Sequence, residues 1–250
     1  MTRKSSRALA TCAVGAALLL AAGGTATAQP ATASAPARPA YDPFETFNRA
    51  VFEFNDALDR AVLKPAAQVY VFAVPEALRF VVSNVFANLG DVWVGVNNLL
   101  QGKPMAAGSD FLRFGLNTTL GFAGFADIAS EIGLRRNRED FGQTLGWWGL
   151  PAGPYLVLPL FGPSSVRDTA GFAVDTSVDY LWRVRDDDAR LGAGMLRLVN
   201  ARASVLEAER VIEAAAIDRY SFIRDGYLQR RRNLVYDGDP PPEPAEPVNR

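Results

Sequence analysis

The sequence predicts a mainly α-helical fold of amphipathic helices with an irregular Gly/Pro/aromatic-rich central region. Apolar residues recur at spacings of three and four through most of residues 41–236, and proline and aspartate helix-start signals stand before several of those stretches. Long runs of strict alternation, which would mark half-buried strands, are missing. The chain has 250 residues, 49% of them hydrophobic and 21% charged, so one sizeable core is affordable.

The chain opens with Arg3, Lys4 and Arg7, an apolar run from Ala8 to Ala22, and then Ala26-Thr27-Ala28. That order reads as a secretory signal over residues 1–28. Its removal leaves 23 basic against 27 acidic residues, a mildly acidic exported protein. Leu9-Ala10-Thr11-Cys12 faintly resembles a lipidation site, but Leu18, Leu19 and Leu20 follow it, so Cys12 reads as a small apolar residue of the signal. After Gln29, residues 30–40 are Pro, Ala, Ser and Thr with one Arg, and 29–40 reads as a flexible leader. From Asp237 to Arg250, five prolines and scattered acids predict an unstructured tail, which leaves 41–236 as one domain.

At Asp42-Pro43-Phe44-Glu45 the N-cap aspartate, the proline at the first helical position and the glutamate that can close a capping box coincide. Phe44, Phe47, Val51, Phe54 and Leu58 give this first helix an aromatic stripe, and Pro65 is expected to stop it. Pro75 opens a second helix striped with Leu78, Val81, Val82, Val85 and Leu89; Asp91 is expected to cap a short third one ending near Gly102. Pro104 opens a fourth, for which Phe111, Leu112, Gly115, Leu116 and Leu120 are the expected buried face. Helical spacing returns from Arg167 to Trp182 and from Leu191 to Ile217. Between Gly133 and Pro163, six glycines and four prolines accompany Phe141, Trp147, Trp148, Tyr155 and Phe161. A loop this aromatic must pack on its own domain, on another protein or in lipid.

Much chemistry is excluded by composition. There is no histidine and Cys12 is the one cysteine, which removes imidazole bases, histidine ligands and disulfides. No Walker motif or Gly-x-Ser-x-Gly elbow occurs, and Gly142, Gly146 and Gly149 lack dinucleotide-loop spacing. Glu139 with Asp140, and Asp186 to Asp188, read as solvated faces sooner than acid–base or calcium sites. Arg135, Arg136, Arg138 and the run Arg230 to Arg232 could touch anionic headgroups or simply keep the surface soluble. No enzyme activity, cofactor, metal or nucleic-acid partner is expected.

No segment after the signal has 18 consecutive apolar residues, so a single spanning helix is not expected, and neither is a strand-built barrel. The helices could lie in a membrane interface or close a ring with an apolar outside and polar centre. Pattern alone more commonly gives a soluble helical domain.

Several motifs in one order resemble the MlaA/VacJ family of Gram-negative outer-membrane proteins. They are the opening Asp42 to Asn55, Asn97 to Gly102 with Pro104, Arg113-Phe114 with Asn117-Thr118 and Gly121, and Phe141-Gly142-x-Thr144-Leu145-Gly146. Gly153-Pro154-Tyr155-x-x-Leu158-Pro159, Gly162 with Arg167-Asp168, and Asp218-x-Tyr220 with Arg224, Tyr227 and Gln229-Arg230 complete the set. The resemblance implies a ring-shaped assembly of amphipathic helices around a central channel, embedded in the inner leaflet of the outer membrane. It implies extraction of mislocalised phospholipid from the outer leaflet and passage to a periplasmic MlaC-like carrier, with a trimeric porin as partner. Many members carry a cysteine directly after the signal's apolar core, which is missing here. Embedding through helices or a porin would then have to suffice.

On that resemblance Asn48, Arg49, Asn55, Gln143, Thr144, Arg167 and Asp168 are candidates for the channel wall or for headgroup contacts, although capping and inter-helix bonds explain the first three as well. Arg167 and Asp168 read equally as an ion-paired brace, and Tyr220, Arg224 and Tyr227 as packing for the closing helix. Gly142, Gly146, Gly153 and Gly162 are the candidate hinges of a loop that forms or braces the channel mouth. A soluble periplasmic lipid-binding protein and a non-catalytic surface scaffold linked to virulence stay open as alternatives.

Overall fold

A computed structural model describes residues 42–209 and 218–242; the expected signal, the leader, Ile212 and the tail beyond 242 lie outside the described residues. The chain is mainly helical, in the order α1 (Glu45–Leu58), a π turn (Asp59–Leu63), α2 (Lys64–Ala73), α3 (Glu76–Leu100), α4 (Pro104–Thr119), α5 (Ile128–Glu131) and α6 (Phe141–Trp147). A hairpin follows, β1 (Tyr155–Leu158) with β2 (Gly162–Ser165), then α7 (Val166–Val178), a 3₁₀ turn (Tyr180–Arg183), α8 (Asp187–Ala203) and the closing helix α9 (Arg219–Val235).

Asp42 does anchor the first helix, but two residues early: its carboxylate accepts the Phe44 N–H at 3.1 Å and regular helix begins at Glu45. Pro65 does not stop it. The π turn sends the Lys64 N–H back to the Asp59 carbonyl, which opens the helix one position before the proline. The extra residue makes room for the ring that would otherwise clash, and the helix runs on to Ala73. The chain then bends by 120° at Val74-Pro75 into α3. Among the described residues no single helix is long and apolar enough to cross a membrane, while this bent pair passes that test together.

Asp91 caps nothing. It sits inside α3, which is continuous from Glu76 to Leu100, because its buried carboxylate is held by arginines from elsewhere. Pro104 opens α4 as expected, yet the face is reversed: Ala107, Asp110, Arg113 and Asn117 are buried, whereas Phe111, Leu112 and Leu120 are exposed. The stretch 133–163 is not one loop. It holds α6, N-capped by Asp140, and the antiparallel hairpin in which Tyr155 pairs with Ser165 and Leu158 with Gly162. Its aromatics pack largely on the same chain: Phe141 stacks on Trp93 and meets Trp148 edge-on, and Phe161 lies 4.8 Å from Phe172. The expected helix over 191–217 breaks after Ala203. Asp237 still belongs to the body, since the Gly238 N–H closes a turn on the Asn233 carbonyl and Lys103 Nζ reaches Asp237 at 2.5 Å.

Helix α3 packs along α4, α2 against α8, α6 against α7, and α9 against α6 and the hairpin. Among the described residues, seventeen polar or charged side chains are buried against eight apolar ones, and four of those eight are alanines. A small aromatic core of Tyr155, Val157 and Tyr220 fills the space between α1, the hairpin and α9. Meanwhile Phe72 is 93% exposed, Met105 87% and Phe122 80%. That polarity is inverted relative to a water-soluble helical domain, whose large apolar groups go inside.

Candidate functional site

The buried polar side chains form three connected groups. In the first, α3 and α4 face each other through Asn88, Asp91 and Asn98 on one side and Asp110, Arg113 and Asn117 on the other, at helical spacings of three, four and seven. Asn98 Nδ2 donates to Asp110 at 2.7 Å, Asn137 Nδ2 donates to the other Asp110 oxygen, and Arg113 Nη2 meets both Asp127 oxygens at 2.8 and 2.9 Å. Asp91 lies 3.5 Å from Arg113 and 3.4 Å from Arg136. Two carboxylates, Asp91 and Asp127, therefore share two guanidinia, while Asp110 is held by amides. Burial pushes the Asp91 carboxyl up to about 6 against the pull of both arginines. Burial acts the same way on Asp127, but hydrogen bonds from Ser130 and Asn117 and the charge of Arg136 outweigh it and hold that carboxyl at about 2.

The second group joins α6, α7 and α9. Arg231 Nη1 and Nη2 grip Asp140 at 2.5 and 2.9 Å, and its Nε and Nη2 reach Asp168 at 3.1 and 2.9 Å. Tyr227 Oη donates to Asp168 at 2.7 Å, and Arg167 donates to the same carboxylate at 2.9 and 3.0 Å. Burial opposes the charge on Asp140 and Asp168, yet the hydrogen bonds and charge of Arg231 keep both below the usual carboxylate range. Thr144 Oγ1 donates to Asn97 Oδ1 at 2.7 Å and accepts from Gln101 Nε2 at 3.2 Å, which links this group to the first. Gln143 Nε2 donates to the Arg138 carbonyl and to Asp140, while its Oε1 is buried without a partner.

The close approach of these helices needs glycine. A Cβ on Gly171 would lie 2.3 Å from the Gly142 nitrogen, one on Gly142 2.7 Å from Arg231 Nη2, and one on Gly146 2.8 Å from Arg167 Nη1. Gly142 and Gly146 thus stand in regular helix at a tight contact, not at a hinge. Gly153 and Gly162, with φ of +70° and +82°, do occupy turn positions on either side of β1.

The third group ties α1 to the hairpin. Asn48, fully buried, donates to the Tyr155 carbonyl at 3.0 Å and accepts the Val157 N–H at 2.8 Å. Two turns on, Asn55 does the same to Leu158 and Leu160. Together they act as a substitute strand edge for β1. Arg49 pairs with Glu45 and Asp218 and lies over the Tyr220 ring at 4.3 Å.

Gln143, Thr144, Arg167 and Asp168 therefore come together, while Asn48, Arg49 and Asn55 form a separate seam. Tyr220, Arg224 and Tyr227 share one packed face of α9: Tyr220 and Arg224 are buried, and Tyr227 packs half-buried on the small aromatic core. Asn98, Asp110, Arg113, Asn117 and Asp127 escaped selection from the sequence as site residues. The signal was present in the three- and four-residue recurrence of polar groups, which apolar stripes overshadow. Asp186 proves to be the N-cap of α8, and among the described residues no cluster of acidic side chains could hold a metal ion. An open cavity of about 540 Å³ adjoins the first group beside Asn98, Lys103, Met105, Asn137 and Glu139; none of the residues selected from the sequence lines it.

Chemically, the carboxylates of these groups are tied up by arginines, amides and hydroxyls. They make a stiff polar interior within an apolar shell.

Comparison with known proteins agrees with this arrangement. The MlaA lipoprotein family model matches residues 40–234. The intermembrane phospholipid transport system lipoproteins MlaA of Shigella flexneri and Escherichia coli (strain K12) are each 33% identical over 210 residues, covering 81% of both chains. The protein of the same name from Haemophilus influenzae is 34% identical over 201 residues, 79% of this chain and 80% of the relative. A solved chain from work on the structural basis for maintenance of bacterial outer membrane lipid asymmetry superposes with a TM-score of 0.69 at 33% identity, covering 78% of this chain and 99% of that one. With the family model spanning nearly all of the described fold, the chain belongs to the MlaA lipoprotein family.

Proposed function

We propose that this protein is the outer-membrane component of a retrograde phospholipid transport system. In this reading it sits in the inner leaflet of the outer membrane, takes mislocalised phospholipid from the outer leaflet and passes it through an amphipathic passage to a periplasmic MlaC-like carrier. Lipid asymmetry is thereby maintained. The observation that carries the proposal is the inverted polarity: buried Asn, Asp, Arg and Gln side chains inside, and Phe, Leu, Val and Trp outside. An apolar shell is stable in hydrocarbon, and a phospholipid needs a polar path for its headgroup while its tails stay in an apolar phase. The names of the relatives point to the same cargo and membrane.

Helices closing as a ring around the passage, with a trimeric porin alongside, complete the reading. The passage is non-catalytic. Asn48, Asn55, Arg167 and Asp168 act by holding its wall in shape through the bonds described above, Arg49 and Thr144 by joining seams, and Gln143 through the one oxygen its partners leave free. The hairpin between Gly153 and Gly162 braces the mouth.

Fractionation of untagged protein, followed by lipid analysis of the purified chain, tests the proposal. Recovery in the outer-membrane fraction with co-purifying phospholipid is expected. A monodisperse, detergent-free protein carrying no lipid would overturn it.

A further inference from the structure

Five arginines have buried side-chain nitrogens without a hydrogen-bond partner: Arg79, Arg113, Arg136, Arg202 and Arg219. Four of them are nonetheless ion-paired to carboxylates. Arg79 is the exception. Its Nε is buried and unpaired, and among the described residues no carboxylate lies within 4 Å of it. Arg79 as a residue is part-exposed, so a guanidinium with one buried, unpaired nitrogen and no counter-charge beside it stays within reach of an external anion.

The surroundings are polar on one side and apolar on the other. One turn along α3 from Arg79, Ser83 Oγ accepts from Asn200 Nδ2 of α8 at 2.8 Å, and Asn200 Oδ1 accepts from Tyr70 Oη of α2 at 3.0 Å. The Ser83 hydroxyl proton has no acceptor among the described residues. Burial raises the Tyr70 hydroxyl and the charge of Arg79 opposes that rise, so the guanidinium is felt at this seam. Directly beside it Leu78 and Phe80 are exposed, as is Phe72 on α2. A cation and a hydroxyl donor at the edge of an apolar surface match a ligand with an anion joined to hydrocarbon.

We propose that Arg79, with Ser83, binds the phosphodiester of a phospholipid whose acyl chains lie against the Phe72 and Phe80 surface. This rests on the lipid-transport reading above and adds to it a headgroup site at the seam of α2, α3 and α8. Phosphate is the shared feature of phospholipid headgroups, so the site selects for the phosphodiester and not for what is esterified to it.

Delipidated full-length protein in detergent, as wild type, Arg79→Gln and Arg79→Lys, is equilibrated with equal amounts of phosphatidylethanolamine and diacylglycerol of the same acyl chains. Retained lipids are then counted by mass spectrometry. The wild type is expected to prefer the phospholipid roughly tenfold, Arg79→Lys to keep most of that preference, and Arg79→Gln to lose it. Because the readout is a ratio within each sample, it does not depend on how much of a variant folds. Equal retention by the wild type, or an undiminished preference in Arg79→Gln, overturns this inference and leaves the transport reading standing; retention of neither lipid by the wild type overturns both. In a parallel arm, inorganic phosphate that displaces the phospholipid from wild type at lower concentration than the lipid itself would assign the site to free phosphate and overturn the lipid assignment.

Discussion

Replacing Gly171 with alanine should force α6 away from α7. The added Cβ would lie 2.3 Å from the Gly142 nitrogen and 2.5 Å from its Cα, and both are backbone atoms that no rotamer change can move. Ordinary contact begins near 3.4 Å, so the helices must part by about 1 Å. That shift falls on a contact line that also carries the Phe141 N–H to Asp175 bond at 3.0 Å and the Arg231 bridge between Asp140 and Asp168. Overpacking of this kind costs about 1–3 kcal/mol, and unyielding backbone puts this site near about 3. For a chain of this size the expected fall in melting temperature is about 6–12 °C. Gly192→Ala on α8, where a Cβ meets nothing within 4 Å, is the matched control and should stabilise by about 0.5–1 kcal/mol. Thermal unfolding of the two variants beside the wild type in one detergent decides the matter. An unchanged melting temperature for Gly171→Ala would refute the close-packed α6–α7 contact.

Asp168→Ala strands Arg231, Arg167 and Tyr227 in a buried setting and should cost about 3–5 kcal/mol by denaturant titration. Since Asp140 and Asp168 are held below their usual range, their contribution is fully present above the unfolded value of 3.8 and disappears as pH falls through the lower folded values; the stability gap between wild type and Asp168→Asn should therefore be widest above 3.8 and close as pH falls below it. Asp91 has the opposite sign. With its folded value raised to about 6, stability falls as pH rises from 3.8 to about 6, and Asp91→Asn should flatten that slope in melting experiments. Asn48→Leu leaves the Val157 N–H and Tyr155 carbonyl unpaired and should cost about 2–4 kcal/mol, with hydrogen exchange at Val157 accelerated first.

Local signals placed much of the fold. Asp42, Pro75 and Pro104 mark helix starts because capping and proline geometry act within a few residues. Pro65 misled because a π turn depends on how the long helix is held by its neighbours. Asp91 misled because a buried aspartate and a capping one look alike until Arg113 and Arg136 arrive from distant segments. The seven residues of α6 and the four-residue strands are too short for periodicity to reveal among so many glycines. The reversed face of α4 has a deeper cause: an amphipathic pattern says that two faces differ, and only the surrounding medium decides which one turns inward. For the candidate site, residue types at Asn48, Asn55, Arg167 and Asp168 were legible, but their partners were not, since backbone groups at Tyr155 and Leu158 carry no sequence signature.

Whether the exposed apolar surface faces hydrocarbon can be measured directly. Spin labels at Phe72 and Phe122, with Asp187 as an exposed polar reference, can be compared for collision with oxygen and with a water-soluble nickel chelate in phospholipid bilayers. High oxygen and low nickel accessibility at Phe72 and Phe122, reversed at Asp187, is the predicted result. Nickel accessibility at Phe72 and Phe122 equal to that at Asp187 would contradict a lipid-embedded shell around a polar interior.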